Sequence, residues 1–115
     1  MSNNCIFCKI IAGEIPASKV FENNNVLAFR DINAASPEHI LVIPKLHKAS
    51  LNEFKLEDQS LLGELLLIVK QIAQDLGFSE KGYRTVINTG DHGGQTVHHL
   101  HLHLLAGRAH TWPPG

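Results

Sequence analysis

The stretch Val-His-His-Leu-His-Leu-His-Leu-Leu-Ala at residues 97–106 decides how this sequence folds, because imidazole and leucine side chains alternate along it. Successive side chains of a β-strand point to opposite faces of its sheet, so the alternation predicts a strand with one histidine face and one apolar face. A helix would turn His101 away from His99 and His103 and would scatter the leucines. We therefore predict a strand whose histidines share one face and whose leucines point toward the core.

The rest of the chain predicts four more strands and two helices. The strands are predicted at residues 19–22, 26–31, 39–43 and 83–89. A short helix is predicted at residues 6–12, before Gly13, and a long one at residues 56–76, where apolar residues recur at helical spacing. Because the strands come in runs and do not alternate with helices, the pattern indicates an α+β fold built on a five-stranded antiparallel sheet. We expect a single domain over residues 1–115.

Composition and charge exclude several classes of protein. The 115 residues are 43% hydrophobic and 18% charged, which is typical of a globular protein and not of a disordered chain. With 10 Lys and Arg against 11 Asp and Glu and no basic run, we expect no long nucleic acid as a partner. The longest apolar run, residues 65–69, is far shorter than the roughly 20 residues that cross a membrane, and no export signal is visible. We therefore expect a cytoplasmic protein that has no membrane partner.

Histidine is the residue in excess, with eight in the chain and four of them within residues 98–103. A single histidine on an open sheet face is usually just solvated. Three histidines on one face of a strand are less easily explained in this way, because adjacent imidazoles repel one another when protonated and then need an anion or a metal ion beside them. Two chemistries stay open on these residues alone. Imidazoles and cysteines can hold a transition metal, or imidazole N–H groups can bind phosphate while one imidazole attacks phosphorus.

The segment His-Leu-His-Leu-His-Leu-Leu at residues 99–105 resembles the motif of the histidine triad family, and the similarity extends over residues 5–115. It resembles the purine nucleoside phosphoramidase branch of that family. Further segments that look like this branch are residues 29–31, 39–45, 82–84, 88–90, 93–97 and 112–115. The resemblance implies a homodimer in which two five-stranded sheets join into one ten-stranded sheet. It also implies hydrolysis of purine nucleoside 5′-phosphoramidates, with no metal in the phosphorus chemistry.

The resemblance implies a role for each histidine of the motif. His101 matches the nucleophile, whose attack on phosphorus forms a nucleotidyl-histidine that water then breaks. His103 matches the residue that contacts phosphate and protonates the leaving group. His39 matches a fourth histidine behind the triad. We expect His39 and His99 to orient their neighbours, although a purely structural role explains these two nearly as well.

The same resemblance implies a nucleotide site. The base would lie in an apolar slot formed by Phe7, Ile10 and Phe29. Asp31 would accept hydrogen bonds from both ribose hydroxyls, which suits the two oxygens of a carboxylate. Asn88 would lie beside the sugar and phosphate, while Gly94 and Thr96 would bind phosphate together with the last two histidines of the triad. Without the resemblance, the apolar residues would be assigned to the core, Asp31 to a turn and the glycines to a hairpin.

Cys5 and Cys8 form a Cys-x-x-Cys pair, which in an intracellular protein indicates a metal or redox site more than a disulfide. Some relatives in the histidine triad family carry zinc on such a pair together with two histidines, and the matching positions here are His47 and His99. We therefore predict a structural Zn²⁺ on these four residues. Two small buried thiols would also explain the cysteines.

Three other functions stay open, and one of them is a metal-handling protein built on Cys5, Cys8 and the histidines. The second is a dinucleoside polyphosphate hydrolase of the same fold, which the short ending with Trp112 argues against. The third is a nucleotide-binding regulatory module that keeps the site and acts through partners. Trp112 itself would lie at the dimer edge near the partner's site, or would pack the tail onto the fold.

Overall fold

The computed structural model describes residues 4–115, and its strands form one sheet. The strands are β1 Lys19–Glu22, β2 Val26–Arg30, β3 Glu38–Pro44, β4 Arg84–Val86 and β5 Leu102–Ala106. The helices are α1 Ile6–Ile11 and α2 Gln59–Asp75, with 3₁₀ turns at Leu51–Glu53 and Leu56–Asp58. All neighbouring strands are antiparallel and lie in the order β1-β2-β3-β5-β4, which confirms the predicted α+β class and five-stranded sheet.

The two faces of the sheet differ because side chains alternate along each strand. The core between the sheet and α2 contains Val26, Ala28, Ile40, Val42, Leu65, Ile68, Val69, Ile72, Ala73, Leu100, Leu102 and Leu104. The opposite face packs against α1 and contains Phe7, Ile10, Leu27, Phe29, Leu41 and Ile43. The leucines that alternate with the triad histidines all lie in the α2 core, as predicted, and the histidines are left to the α1 side.

α2 confirms the predicted long helix, with one difference at its start. Residues 56–58 form a 3₁₀ turn, in which the Asp58 carboxylate accepts the backbone N–H of Lys55 at 2.9 Å. The helix ends at Asp75, and the φ of 86° at Gly77 turns the chain so that the N–H of Phe78 donates to the carbonyl of Ala73 at 2.7 Å. Within residues 4–115, neither α2 nor any other helix is long and apolar enough to cross a bilayer.

β5 is shorter than predicted and pairs only from Leu102 onward. The preceding residues are held by other bonds, because the N–H of Leu100 donates to the carbonyl of Lys48 at 2.8 Å. β4 is likewise confined to Arg84–Val86 instead of residues 83–89, since residues 88–95 form a turn of their own. The nucleophile predicted at residue 101 therefore lies just outside the strand ladder.

Candidate active site

A chain of hydrogen bonds fixes the proton positions on two histidines. The backbone N–H of Ala35 donates to Nδ1 of His39 at 2.9 Å, so this nitrogen carries no proton. The Nε2–H of His39 therefore donates to Nδ1 of His103 at 2.8 Å, with the Asp31 carboxylate 3.5 Å from the same Nε2. The proton of neutral His103 then lies on Nε2, which is buried and has no hydrogen-bond partner among residues 4–115. His103 thus presents an N–H donor.

In His101 the proton lies on the other ring nitrogen. Its Nδ1 lies 2.8 Å from the carbonyl oxygen of His99, and because a carbonyl only accepts, Nδ1 of His101 carries the proton. Nε2 of neutral His101 therefore keeps its lone pair. The ring centroids of His101 and His103 are 4.9 Å apart, in an edge-to-face arrangement. The two side chains place a lone pair and an N–H donor next to each other.

Burial keeps these imidazoles neutral. It lowers the pKa of His101, an effect that the hydrogen bond to His99 and the charge of Asp31 oppose. Burial, and then the neighbouring His101 and His39, lower the pKa of His103 to about 4. Burial also lowers the pKa of His39, and Asp31 partly offsets the effect. At neutral pH the free site therefore keeps a lone pair on Nε2 of His101.

A cavity of about 420 Å³ opens beside these histidines on the α1 side of the sheet. Seven of the nine residues predicted to bind nucleotide line it, namely Phe7, Ile10, Phe29, Asp31, Thr96, His101 and His103. The rings of Phe7 and Phe29 meet edge to face with centroids 5.6 Å apart and form part of its wall. A largely apolar cavity with a few converging polar groups is the usual form of a small-molecule site.

Asn88 and Gly94, the other two predicted residues, lie outside this lining. Nδ2 of Asn88 donates to the carbonyl of Gly93 at 2.7 Å, and the N–H of Gly94 donates to the carbonyl of Asp91 at 3.1 Å. At position 93 the turn needs a glycine, because a Cβ there would lie 2.3 Å from the carbonyl oxygen of Thr89. Asn88 and Gly94 therefore stabilise the turn before Thr96 through these hydrogen bonds. Their contact with a nucleotide stays a prediction.

Sequence reasoning missed part of the cavity wall. Leu41 faces the cavity between Phe29 and His103, its cross-strand neighbours on β2 and β5. Its place two residues after His39 on one strand predicts the same face of the sheet, so alternation would have identified it. Residues 15–18, between α1 and β1, also line the cavity but show no pattern that would have indicated it.

A second polar group joins α1 to the residues before β5. Nδ1 of His99 lies 3.3 Å from Sγ of Cys5 and 3.6 Å from Sγ of Cys8. Nδ1 of His47 lies 3.1 Å from Nδ1 of His99 and 3.3 Å from Sγ of Cys8. The Nε2–H of His99 donates to the carbonyl of Pro44 at 2.8 Å, so its Nδ1 is the unprotonated nitrogen. The four predicted metal ligands therefore bring their donor atoms together.

This donor set fits a zinc ion. Zn–S bonds of ~2.3 Å and Zn–N bonds of ~2.0–2.1 Å give a tetrahedral site with nitrogens about 3.4 Å apart and sulfur about 3.6 Å from nitrogen. The N–N separation of 3.1 Å and the S–N separations of 3.3 to 3.6 Å are close to these values. The N–H of Cys8 donates to Sγ of Cys5 at 3.3 Å, which holds that sulfur beside the other donor atoms. Cys5, Cys8, His47 and His99 are the residues that would hold the metal.

Comparison with known families decides the identity of this fold, since residues 12–110 match the HIT domain. The chain belongs to the HIT domain family. This membership confirms the resemblance to histidine triad proteins that the motif at residues 99–105 indicates.

Relatives of this HIT domain cover nearly its whole length. An uncharacterized HIT-like protein of Synechococcus elongatus is 60% identical over 115 residues, covering 100% of both chains. A 14 kDa zinc-binding protein of Zea mays is 50% identical over 112 residues, which are 96% of this chain and 87% of that protein.

Solved structures share the fold closely. A HIT family hydrolase from Legionella pneumophila superposes with a TM-score of 0.95 at 55% identity, covering 97% of this chain and 100% of that one. A histidine triad nucleotide-binding protein from Candida albicans superposes with a TM-score of 0.81 at 36% identity, covering 95% of this chain and 82% of that one. The α+β architecture of this HIT domain is therefore that of both proteins.

A second cluster of side chains in this HIT domain contains residue types that can bind a metal, but its hydrogen bonds do not suit a metal site. The donor atoms of Asp31, His39 and His103 lie within 4.8 Å of one another. The N–H of Ala35 occupies Nδ1 of His39, so Nε2 of His39 keeps its proton and has no lone pair to offer. This group orients His103 through hydrogen bonds.

Proposed function

We propose that this HIT protein is a nucleotide-binding hydrolase that cleaves the P–N bond of purine nucleoside 5′-phosphoramidates. The observation that carries the proposal is the tautomer of His101, whose Nδ1–H is held by the His99 carbonyl, so that its Nε2 lone pair is available at the cavity. A positioned neutral imidazole is a competent nucleophile for phosphorus. The names of the Legionella hydrolase and the Candida nucleotide-binding protein support the class of reaction and ligand.

We assign the steps as two displacements. Nε2 of His101 attacks the α-phosphorus, the P–N bond breaks and the amine leaves with a proton. His103 donates its Nε2–H as a hydrogen bond to a phosphoryl oxygen. Because its Nδ1 already accepts the Nε2–H of His39, the leaving amine takes its proton from solvent water. Water then attacks the phosphorus of the nucleotidyl-histidine and gives one proton to solvent. The Nε2–P bond breaks, which releases the nucleoside monophosphate and restores neutral His101.

The cavity supports a nucleotide in one orientation. The purine lies against Phe7, Ile10 and Phe29, which form its apolar wall. Asp31 accepts the ribose hydroxyls, and Thr96 and the two histidines lie near the phosphate. The Asp31 carboxylate already accepts the N–H of Asn33 at 2.8 Å, which holds it in place and leaves further lone pairs for the sugar.

We propose a structural Zn²⁺ on Cys5, Cys8, His47 and His99. The separations of the donor atoms and the name of the Zea mays relative support this assignment. The ion would cross-link α1 to the residues before β5, and the phosphorus chemistry stays with His101 and His103. His39 and His99 are positioning residues on this proposal.

We also propose that the protein is a homodimer. β4 is an edge strand, and α2 exposes Leu66 and Leu67, which are 46% and 67% accessible. Pairing of two β4 edges would join the sheets into one of ten strands and cover apolar surface of α2. Trp112, 82% exposed, would then lie near the partner's site. Light scattering at micromolar concentration should find twice 12.7 kDa, and a monomer would contradict the proposal.

Turnover of adenosine 5′-monophosphoramidate tests the function. His101→Asn should lower kcat by about a thousandfold or more and change the affinity for AMP little, because a nucleophile contributes mainly in the transition state. His98→Asn is the matched control, since it removes a neighbouring but exposed imidazole and should leave both quantities unchanged.

The other outcomes discriminate between functions. Equal losses of affinity and rate in His101→Asn would contradict its role as nucleophile. AMP binding without release of amine would favour a regulatory module. Faster cleavage of diadenosine polyphosphates than of phosphoramidates would favour a dinucleoside polyphosphate hydrolase.

A further inference from the structure

We infer that the Cys5–Cys8–His47–His99 group and the nucleotide cavity are thermodynamically coupled, so that metal occupancy of the group raises the affinity for a purine nucleotide and bound nucleotide tightens the metal. Cys5, Cys8 and His47 are then positioning residues for the reaction. The inference rests on the proposed nucleotide site and on the fit of the group to zinc.

His99 provides the first link, because it takes part in both sites. Its side chain is fully buried, and Nδ1 lies 3.3 Å from Sγ of Cys5 and 3.1 Å from Nδ1 of His47. Its carbonyl oxygen accepts the Nδ1–H of His101 at 2.8 Å. A rotation of the His99 peptide would break this hydrogen bond, which is the contact that selects the reactive tautomer of His101.

The backbone that carries His99 and His101 depends on this group. In the part of the chain that the structure describes, pairing of β5 with β3 starts at Leu102. The preceding residues are held by the Leu100 N–H, which donates to the Lys48 carbonyl at 2.8 Å, beside His47. The residues that position His101 are therefore largely those that bind the metal or adjoin it.

α1 provides the second link. A six-residue helix has little stability of its own, so its position depends on tertiary contacts. Cys5 caps its start and Cys8 lies within it, while Phe7 between them forms the cavity wall. The Phe7 ring also lies edge to face on His99 and His101, with centroid distances of 5.8 Å and 5.2 Å. A metal ion that holds the two cysteines therefore also fixes the position of the Phe7 ring, against which the base packs.

The donor atoms indicate that metal binding strengthens nucleotide binding. Nδ1 of His47 and Nδ1 of His99 lie 3.1 Å apart, and two lone pairs repel at that distance unless a cation or a proton lies between them. In stripped protein a proton on Nδ1 of His47 can lie there, but it joins only the two histidines, whereas a metal ion also joins Cys5 and Cys8 and so favours the arrangement that presents His101 and Phe7 to the cavity. Coupling of this kind is reciprocal, and its usual size is about 5- to 150-fold in affinity.

Calorimetric titration with AMP of zinc-loaded and of chelator-treated protein measures the coupling. We expect the Kd for AMP to rise by about tenfold after chelation. Competition with a chromophoric chelator should show that saturating AMP tightens Zn²⁺ by the same factor. Phe7→Leu retains all four metal ligands, so it should bind Zn²⁺ normally but show a smaller factor. His98→Asn, whose imidazole is exposed, should retain the full factor.

AMP affinities within twofold of each other in loaded and stripped protein, both folded by NMR, would overturn the inference. If chelation unfolds the chain, Cys8→Ser, which removes one of the four ligands, takes the place of stripped protein, and an AMP affinity within twofold of wild type at a lower zinc content would overturn the inference. Failure of the proposed nucleotide site has a different signature, because zinc-loaded protein would then bind no AMP at all, and failure of the proposed reaction would leave AMP binding and its coupling in place without release of amine.

Discussion

Acid should destabilise this protein through His103. In the folded chain, burial and the neighbouring imidazoles of His101 and His39 lower its pKa to about 4, against 6.5 for an ordinary histidine. Between these values the unfolded state binds a proton that the folded state does not. The free energy of unfolding therefore falls as the pH falls from 6.5 toward 4, and at higher pH the contribution of His103 is constant.

The size of the effect follows from the two pKa values. The full difference between 6.5 and about 4 corresponds to about 3 kcal/mol, reached below the lower value. For a single group, linkage gives about 2 kcal/mol of lost stability between pH ~7 and pH ~5. This is a large share of the roughly 5–15 kcal/mol that stabilises a typical domain.

Urea unfolding of wild type and His103→Asn across this pH range measures the loss. Asparagine keeps a polar side chain without a titrating group, so the variant should lose about 2 kcal/mol less than wild type between pH ~7 and pH ~5. Acid release of metal cancels in the comparison, because both proteins keep Cys5, Cys8, His47 and His99. His98→Asn removes an exposed imidazole and should follow wild type. Parallel stability curves for wild type and His103→Asn would refute the reasoning.

Three other substitutions, one of them with a matched control, test single contacts. His39→Asn should lower kcat by about a hundredfold with KM nearly unchanged, because Nδ1 of His103 loses its donor; an unchanged kcat in steady-state kinetics would assign His39 to packing. Cys8→Ser should reduce zinc below one equivalent per chain and lower Tm, and elemental analysis with thermal melting would show a packing role if neither changed. Gly93→Ala should lower the free energy of unfolding by about 1–3 kcal/mol, because its Cβ would clash with the backbone of Thr89. Gly63→Ala is the matched control on α2, where a Cβ meets no other atom, and it should raise the free energy of unfolding by about 0.5–1 kcal/mol. Equal urea midpoints for the two variants would contradict this.

The face of the histidines could be predicted from the sequence because burial enforces it. A leucine at every second position has to reach the α2 core, so the histidines between them turn to the other side. The length of β5 could not be predicted in this way. Its pairing starts with Leu102 opposite Val42 on β3, because the N–H of Leu100 donates to the carbonyl of Lys48, a partner that is remote in sequence.

The cavity shows the same division. Phe7, Phe29 and Asp31 carry side chains whose chemistry suits a nucleotide, and the resemblance to histidine triad proteins was enough to predict them. The wall at residues 15–18 has no regular structure and no motif, so only the path of the chain between α1 and β1 brings it to the cavity. The contact of Asn88 with the nucleotide stays a prediction, and its amide donates to the carbonyl of Gly93, a local bond that the side-chain type does not reveal.

The sequence by itself determined which chemical groups this protein carries and on which side of the sheet they lie: imidazoles on one face, leucines on the other, and a cysteine pair near the amino end. Only the tertiary structure decided the state of those imidazoles. A histidine is nucleophile or donor according to which nitrogen holds the proton, and that depends on the group facing its other nitrogen. The carbonyl of His99 selects Nδ1–H in His101, while the N–H of Ala35, acting through His39, selects Nε2–H in His103. The second selection joins residues more than sixty positions apart, so no local pattern could have revealed it.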